Sequence, residues 1–126
     1  MNSFVVGKLA TCAVAPFDSP KRTAYVFFDS NAGTNLGAGL CEIPVGSSNN
    51  MHRHEDHDEV IYVLGGKIEF RFPAESVVLE KFDCIYIPKG LDHQIFNVGE
   101  ETAWHTFTFN GTAPVDMIRR MYKAKD

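Results

Sequence analysis

The chain has no apolar run near the roughly 20 residues a membrane-spanning helix needs, so a membrane protein of that kind is excluded. It has only three cysteines, Cys12, Cys41 and Cys84, widely spaced and without a CxxC pair. They form no disulfide ladder and read as small buried apolar residues in a reducing cytoplasm. There is no Lys/Arg cluster outside the C-terminus, and the net charge is −4, so nucleic acid is not an expected partner. No internal repeat, low-complexity linker or helix-turn-helix stretch is visible. Residues Met1 to Ala15 carry only Lys8 as a charge and no long apolar segment, so no signal peptide is expected. At 126 residues the chain reads as one domain, 1–126, with an ordinary apolar fraction for a globular protein.

What is present is a set of metal-ligand side chains in two phased patterns. The first is Gly46-x5-His52-x-His54-x4-Glu59-x6-Gly66, and the second is Pro88-x-Gly90-x2-His93-x3-Asn97. Imidazole and carboxylate are the usual protein donors to a divalent transition metal. Four such donors leave two open positions on an octahedral ion, and open positions are where chemistry happens. On an extended strand, His52 and His54 share a face and Arg53 points away. Glu55 to Asp58 reads as a polar loop, and Glu59 opens the β-branched and aromatic run Val60 to Leu64. Gly65-Gly66 reads as a tight turn, and Lys67 to Phe72 alternates apolar with charged residues. His93, Ile95 and Asn97 share one face of a later strand. A third imidazole from that strand joins the pair only if the sheet curls on itself, which a barrel does.

These two motifs resemble those of the cupin superfamily. The first matches at every fixed position: Gly46, His52, His54, Glu59 and Gly66. The second matches at Pro88, Gly90, His93 and Asn97, but its opening glycine, a turn position, is replaced by Phe82. The resemblance covers about residues 40–109. It implies an all-β, double-stranded β-helix (jelly-roll) barrel, a metal held by His52, His54, Glu59 and His93, and dimerisation through the barrel surface. Asn97 is implied to shape the turn and strand, not to bind metal.

The barrel core is expected over about 22–109. Thr23 to Phe28, Leu36 to Ile43, Val77 to Leu79, Cys84 to Ile87, Gln94 to Val98 and Ala103 to Phe109 read as strands, and Ala15 to Lys21 as an entry loop. Phe4 to Leu9 reads as strand material able to pair with a second subunit. The tail changes period: Val115, Ile118, Met121 and Tyr122 recur at helical spacing. A helix over about 114–123 is predicted, capped by Thr112, with Pro114 in its first turn and a solvated basic end.

Several side chains have two readings. His105 shares the apolar face of Ala103, Phe107 and Phe109, so it is either a general base or substrate donor, or a buried neutral histidine. His57, in the charged loop, is a group at the site mouth or simply solvated. Tyr62 has the opposite parity to Glu59 and reads as packing. Tyr25, Phe27 and Leu40 are candidates for the cavity wall, with direction left open.

Three functions follow. The first is an enzyme using one divalent transition metal per chain (Fe, Mn, Ni, Co or Zn) on a small organic substrate, with Glu59 doubling as a base and His105 as acid or base. Dioxygenase, decarboxylase or lyase, and isomerase chemistries all fit it. The second is a non-catalytic small-molecule binder or sensor. The third is a structural or storage barrel. A cytoplasmic homodimer is expected, with no nucleic-acid or membrane partner.

Overall fold

The computed structural model describes residues 4 to 125, with side chains as far as Tyr122. Alternation builds the strands: β1 (Ala13–Asp18), β2 (Lys21–Phe28), β3 (Gly37–Ile43), β4 (Glu59–Gly65), β5 (Lys67–Arg71), β6 (Ser76–Glu80), β7 (Cys84–Ile87), β8 (Gln94–Asn97) and β9 (Ala103–Phe109). A helix, α1 (Ala113–Lys125), follows them. One sheet has the order β1-β2-β3-β9-β4-β7 and the other β6-β5-β8, all pairs antiparallel. This is the jelly-roll barrel expected from the sequence.

The inner faces meet in one core. Ile43, Ile61, Val63, Ile68, Phe70 and Ala103 are fully buried there. In β4, Glu59, Ile61 and Val63 turn inward while Tyr62 is half exposed, as its parity predicts. In β9, Ala103, His105, Phe107 and Phe109 all face in. Gly39 sits beside the register shift between β2 and β3, where the neighbouring backbone is close: a Cβ there would lie 2.1 Å from the Tyr25 carbonyl oxygen.

The structure corrects several sequence expectations. Ala15 to Lys21 is not an entry loop, since β1 fills most of it and pairs with β2 from Ala13↔Val26 to Asp18↔Lys21. Pro16 is tolerated because β1 is a sheet edge, where a missing N–H need not break a ladder on both sides. Phe4 to Leu9 forms no strand within the chain. Tyr25, Phe27 and Leu40 do not line the cavity; Tyr25 stacks on Trp104 at 5.7 Å and donates to Glu42 at 3.0 Å. Of the cysteines, only Cys41 is buried; Cys84 is exposed and Cys12 intermediate. All three are free.

Helix α1 lies where its period placed it. Val115 is fully buried, and Ile118 and Tyr122 pack on Ala15, Phe17 and Ala24 of the β1–β2 hairpin, while Met121 stays exposed. Its basic side is less solvated than expected: Arg119 pairs with buried Asp29 at 2.8 Å. Asp116 accepts from the Ser30 amide and hydroxyl, both at 2.9 Å. These ties hold the helix against the end of β2. Among the described residues no helix is long and apolar enough to cross a membrane.

Phe82, at the position where the motif has glycine, keeps the turn at a cost. Its φ is +75°, and it is 77 % exposed. Its amide donates to Val63 at 2.8 Å, so the backbone geometry is set by pairing with β4. A left-handed conformation costs an L-residue about 1–2 kcal/mol, against ~0.5–1 kcal/mol for glycine's larger entropy loss. Phe82→Gly is therefore expected to raise stability by about 0.5 kcal/mol, read as a higher urea midpoint. A lower midpoint would mean that the ring, over which Lys81 sits at 5.0 Å, contributes more than the strain.

Candidate metal centre

Both motif segments meet at one end of the barrel. His52 and His93 form a reciprocal antiparallel bridge, with N–H to O distances of 3.0 and 2.8 Å. The Gly90 amide donates to the His54 carbonyl at 2.8 Å. On the other side of the segment, Arg53 grips Asp92 through two bonds of 2.7 and 2.9 Å. Asp58 accepts from the Lys89 amide at 2.9 Å. The motifs are thus bolted together by backbone and by side chains pointing away from the site. His52 belongs to a single bridge and His54 to irregular chain, so a regular strand is not what aligns them.

The ligand-type atoms of His52, His54 and His93 lie within 4.8 Å of one another. Glu59 Oε1, at the start of β4, is 3.7 Å from His54 Nε2 and 3.5 Å from His93 Nε2. Two hydrogen bonds set the ring tautomers. His52 Nδ1 donates to the Asn50 carbonyl at 2.7 Å, and His93 Nδ1 to the Leu91 carbonyl at 2.8 Å. A carbonyl oxygen can only accept, so in the neutral rings each Nε2 carries a lone pair.

That leaves a specific problem. Glu59 Oε1 and His93 Nε2 are buried, face each other and have no hydrogen-bond partner. Glu59 is 5 % exposed and His93 1 %. Buried polar atoms without partners are rare and costly. A cation between the two lone pairs resolves both. Metal–ligand bonds of roughly 2.0–2.2 Å put neighbouring donor atoms roughly 3.0–3.5 Å apart. The 3.5 and 3.7 Å separations from Glu59 are within a few tenths of that range, and the three imidazoles, within 4.8 Å of one another, need only close in by about an ångström, so the residues present fit a divalent ion.

Electrostatics agree with that reading for two of the three imidazoles. Burial, reinforced by His52, His93 and His57, pushes the His54 imidazole down to about 4. Burial and neighbouring His93 also lower His52. Burial alone would lower His93, but Glu59, the Leu91 carbonyl and Asp92 together hold it above its ordinary value. His52 and His54 are therefore neutral donors near pH 7, the form a metal requires.

A cavity of about 650 Å³ is lined by His52, His54 and Glu59 at one side and by residues of α1 at another. Ile43, Ile95, Phe107 and Phe109 supply apolar wall, and Met117 and Met121 roof it from the helix. His105 lines it too. Burial pushes that imidazole down to about 4, and its Nδ1 donates to the Thr106 carbonyl at 2.7 Å, leaving Nε2 as an acceptor. Cys41, opposite His105 across β3 and β9, is pushed up to about 12 by burial and stays a thiol. His57 lines the mouth, packed so tightly on Gly111 that a Cβ there would be 2.5 Å from its Nε2. Asn97 does not face the site. Its amide donates to the Ile43 and Glu101 carbonyls, both at 2.9 Å, and its oxygen accepts from Gly99, which fixes the turn after β8.

Sequence reasoning did not single out Phe17 or Arg22 as cavity residues. The signal for Arg22 was present, because it shares strand parity with Ala24 and Val26, but its charge argued for the outer face.

Fold and site together define a jelly-roll barrel with a potential three-histidine, one-glutamate metal site. A family model described as a cupin domain matches residues 39–108, more than half of the chain, and the chain belongs to that family. TcmJ of Streptomyces glaucescens, a tetracenomycin polyketide synthase protein, is 29 % identical over 109 residues, 85 % of this chain and 73 % of that one. Matches to other curated relatives span only 46 to 49 % of their length. Among solved structures, a predicted oxalate decarboxylase of Thermotoga maritima superposes with a TM-score of 0.74 at 19 % identity, over 82 % of this chain and 96 % of that one. The polyketide cyclase RemF of Streptomyces resistomycificus gives 0.72 at 20 % identity, over 86 % and 79 %. At such identities these likenesses concern the fold.

Proposed function

We propose that this protein is a metal-dependent cupin enzyme acting on a small organic substrate, with one divalent transition metal (Fe, Mn, Ni, Co or Zn) held by His52, His54, Glu59 and His93. The observation that carries the reading is the facing pair of buried, unpartnered atoms, Glu59 Oε1 and His93 Nε2. A divalent ion bound there supplies Lewis-acid polarisation of a substrate oxygen.

The chain's own residues do the rest. The apolar walls take the substrate body and exclude water. Neutral His105 accepts a hydrogen bond at Nε2 and orients a substrate hydroxyl or enol. Its lowered basicity makes it a weak proton acceptor at pH 7. Glu59, whose Oε1 is buried without a hydrogen-bond partner, is the candidate base by position. Cys41 stays protonated and offers no nucleophile. Of the oxygenase, lyase and isomerase classes, we favour proton transfer on an enolisable carbonyl compound, a lyase- or isomerase-type step that includes ring closure. The polyketide-related names of TcmJ and RemF support that choice.

The test is elemental analysis of protein purified without chelator, beside His52→Ala/His54→Ala. About one transition-metal ion per chain is expected, lost in the double variant. Wild-type protein that stays empty even after metal soaking would remove the enzyme reading and leave a non-catalytic binding module. We also propose a homodimer, supported by the exposed apolar residues Phe4, Val6 and Leu9 and by Tyr86 and Val78 on the outer sheet faces. A species of one chain's mass in sedimentation at micromolar concentration would refute it. The three free cysteines support a cytoplasmic setting.

A further inference from the structure

Arg22 is a cation lining the cavity with no carboxylate partner among the described residues. It shares the inner face of β2 with buried Ala24 and Val26 and lines the same cavity as His52, Glu59 and His105. Its guanidinium carbon stands 4.5 Å from the centre of the Phe17 ring, its cross-strand neighbour on β1. One nitrogen, Nη1, donates to the Pro20 carbonyl at 3.1 Å. Among the described residues no carboxylate forms an ion pair with it. The contrast with Arg53, Arg71 and Arg119 is clear, for each has a carboxylate oxygen within 2.8 Å.

A partly buried guanidinium has five N–H donors, and this one spends a single donor on protein. Holding such a group out of water without an anion is unfavourable. Stacking on Phe17 keeps the planar fork oriented, and an oriented fork is matched by a carboxylate, which it binds through two parallel hydrogen bonds. Glu55 and Asp56 stand at the cavity mouth, so the region does not attract anions in general and selection depends on Arg22 itself. Arg53 and Arg120 also line the cavity, but Arg53 is held by Asp92 and Arg120 is exposed on α1. Arg22 is thus the one partly buried guanidinium there without a carboxylate among the described residues, and a single such cation suits a singly charged carboxylate better than a phosphate dianion.

We propose that Arg22 is the specificity-determining residue of the cavity, and that the substrate is a carboxylate on an otherwise apolar body. This rests on reading the cavity as the substrate site. The carboxylate meets Arg22, the apolar body lies along Ile43, Ile95 and Phe107, and the reacting oxygen reaches the four ligand residues.

The test compares 2-naphthoate with its neutral isostere 2-naphthamide by calorimetric titration. Carboxylates also bind metals, so the titrations use the His52→Ala/His54→Ala protein in chelator, with Arg22, Arg22→Gln or Arg22→Lys. With Arg22 present, naphthoate should bind at least about tenfold tighter than the amide. Arg22→Gln should erase that preference by weakening naphthoate alone. Arg22→Lys should keep the charge but lose several-fold, because the fork is gone. Equal affinities with Arg22 present, a preference that survives Arg22→Gln, or no binding of either probe at millimolar concentration would overturn the proposal. If Arg22→Gln fails to fold by circular dichroism, an undiminished preference in the lysine variant does the same. Metal content of the parent protein separates this test from the enzyme reading. An empty metal site beside an Arg22-dependent preference removes the enzyme and keeps the anion site; a loaded site without the preference does the reverse.

Discussion

His93→Ala should lower metal content from about one ion per chain to below a tenth and abolish any metal-dependent turnover, while the barrel still folds. The reasons lie in the local wiring. His93 is held by backbone bonds to His52 that do not involve its side chain, so the two motif segments stay joined when the ring is gone. Its imidazole makes one further hydrogen bond, to the Leu91 carbonyl, and otherwise faces Glu59. Removing the ring deletes a donor atom and leaves the Glu59 carboxylate buried opposite a hole. An unpartnered buried polar group costs about 1–3 kcal/mol. A second variant, Glu59→Gln, separates the two effects. It should also weaken metal binding strongly, but with a smaller stability loss, because the amide can donate to His93 Nε2. Metal retained at wild-type level in both variants would show that the four residues are not a metal centre.

The second large effect is acid sensitivity through His105. Its folded value is about 4, pushed down by burial and only partly opposed by its bond to Thr106. In the unfolded chain it titrates near its ordinary value of about 6.5. Between those values the unfolded state binds the proton and the folded state does not, so stability rises with pH there. The contribution is fully present above about pH 6.5 and is lost as pH falls toward 4, amounting to about 3 kcal/mol over the window. His54 titrates over the same window in metal-free protein, with a smaller effect because it is partly exposed. Urea unfolding in chelator at pH 7.5, 5.5 and 4.5 should therefore show a steep loss for wild type. His105→Gln should lose markedly less on the same series. Parallel losses in the two proteins would mean that His105 takes up its proton without unfolding, as a solvated histidine does.

Much of this was legible in the residues. The four metal-site positions followed from donor chemistry and phased spacing. The inward faces of β4, β5 and β9 followed from strict alternation, which carried Tyr62 outward and His105 inward. Two stretches misled. Pro16, Asp18, Ser19 and Pro20 argued for a loop, yet β1 forms because an edge strand can carry a proline and because Ala15 and Phe17 bury against α1. Phe82 broke a glycine pattern, yet the turn survived because hydrogen bonds across to β4 outweigh about 1–2 kcal/mol of backbone strain.

Donor identity and side-chain parity are local properties, so the sequence by itself determined the barrel class, the four candidate ligand positions and the inward histidine. Distances between segments far apart in the chain are not local. Only the tertiary structure decided that Glu59 and His93 face each other at 3.5 Å without partners, that α1 roofs the cavity, and that Arg22 lines it with no carboxylate partner among the described residues. An arginine's charge argues for solvent in any one-dimensional reading. Here strand alternation puts it on the face of Ala24 and Val26, and the Phe17 ring across the pair of strands lies 4.5 Å from its guanidinium carbon.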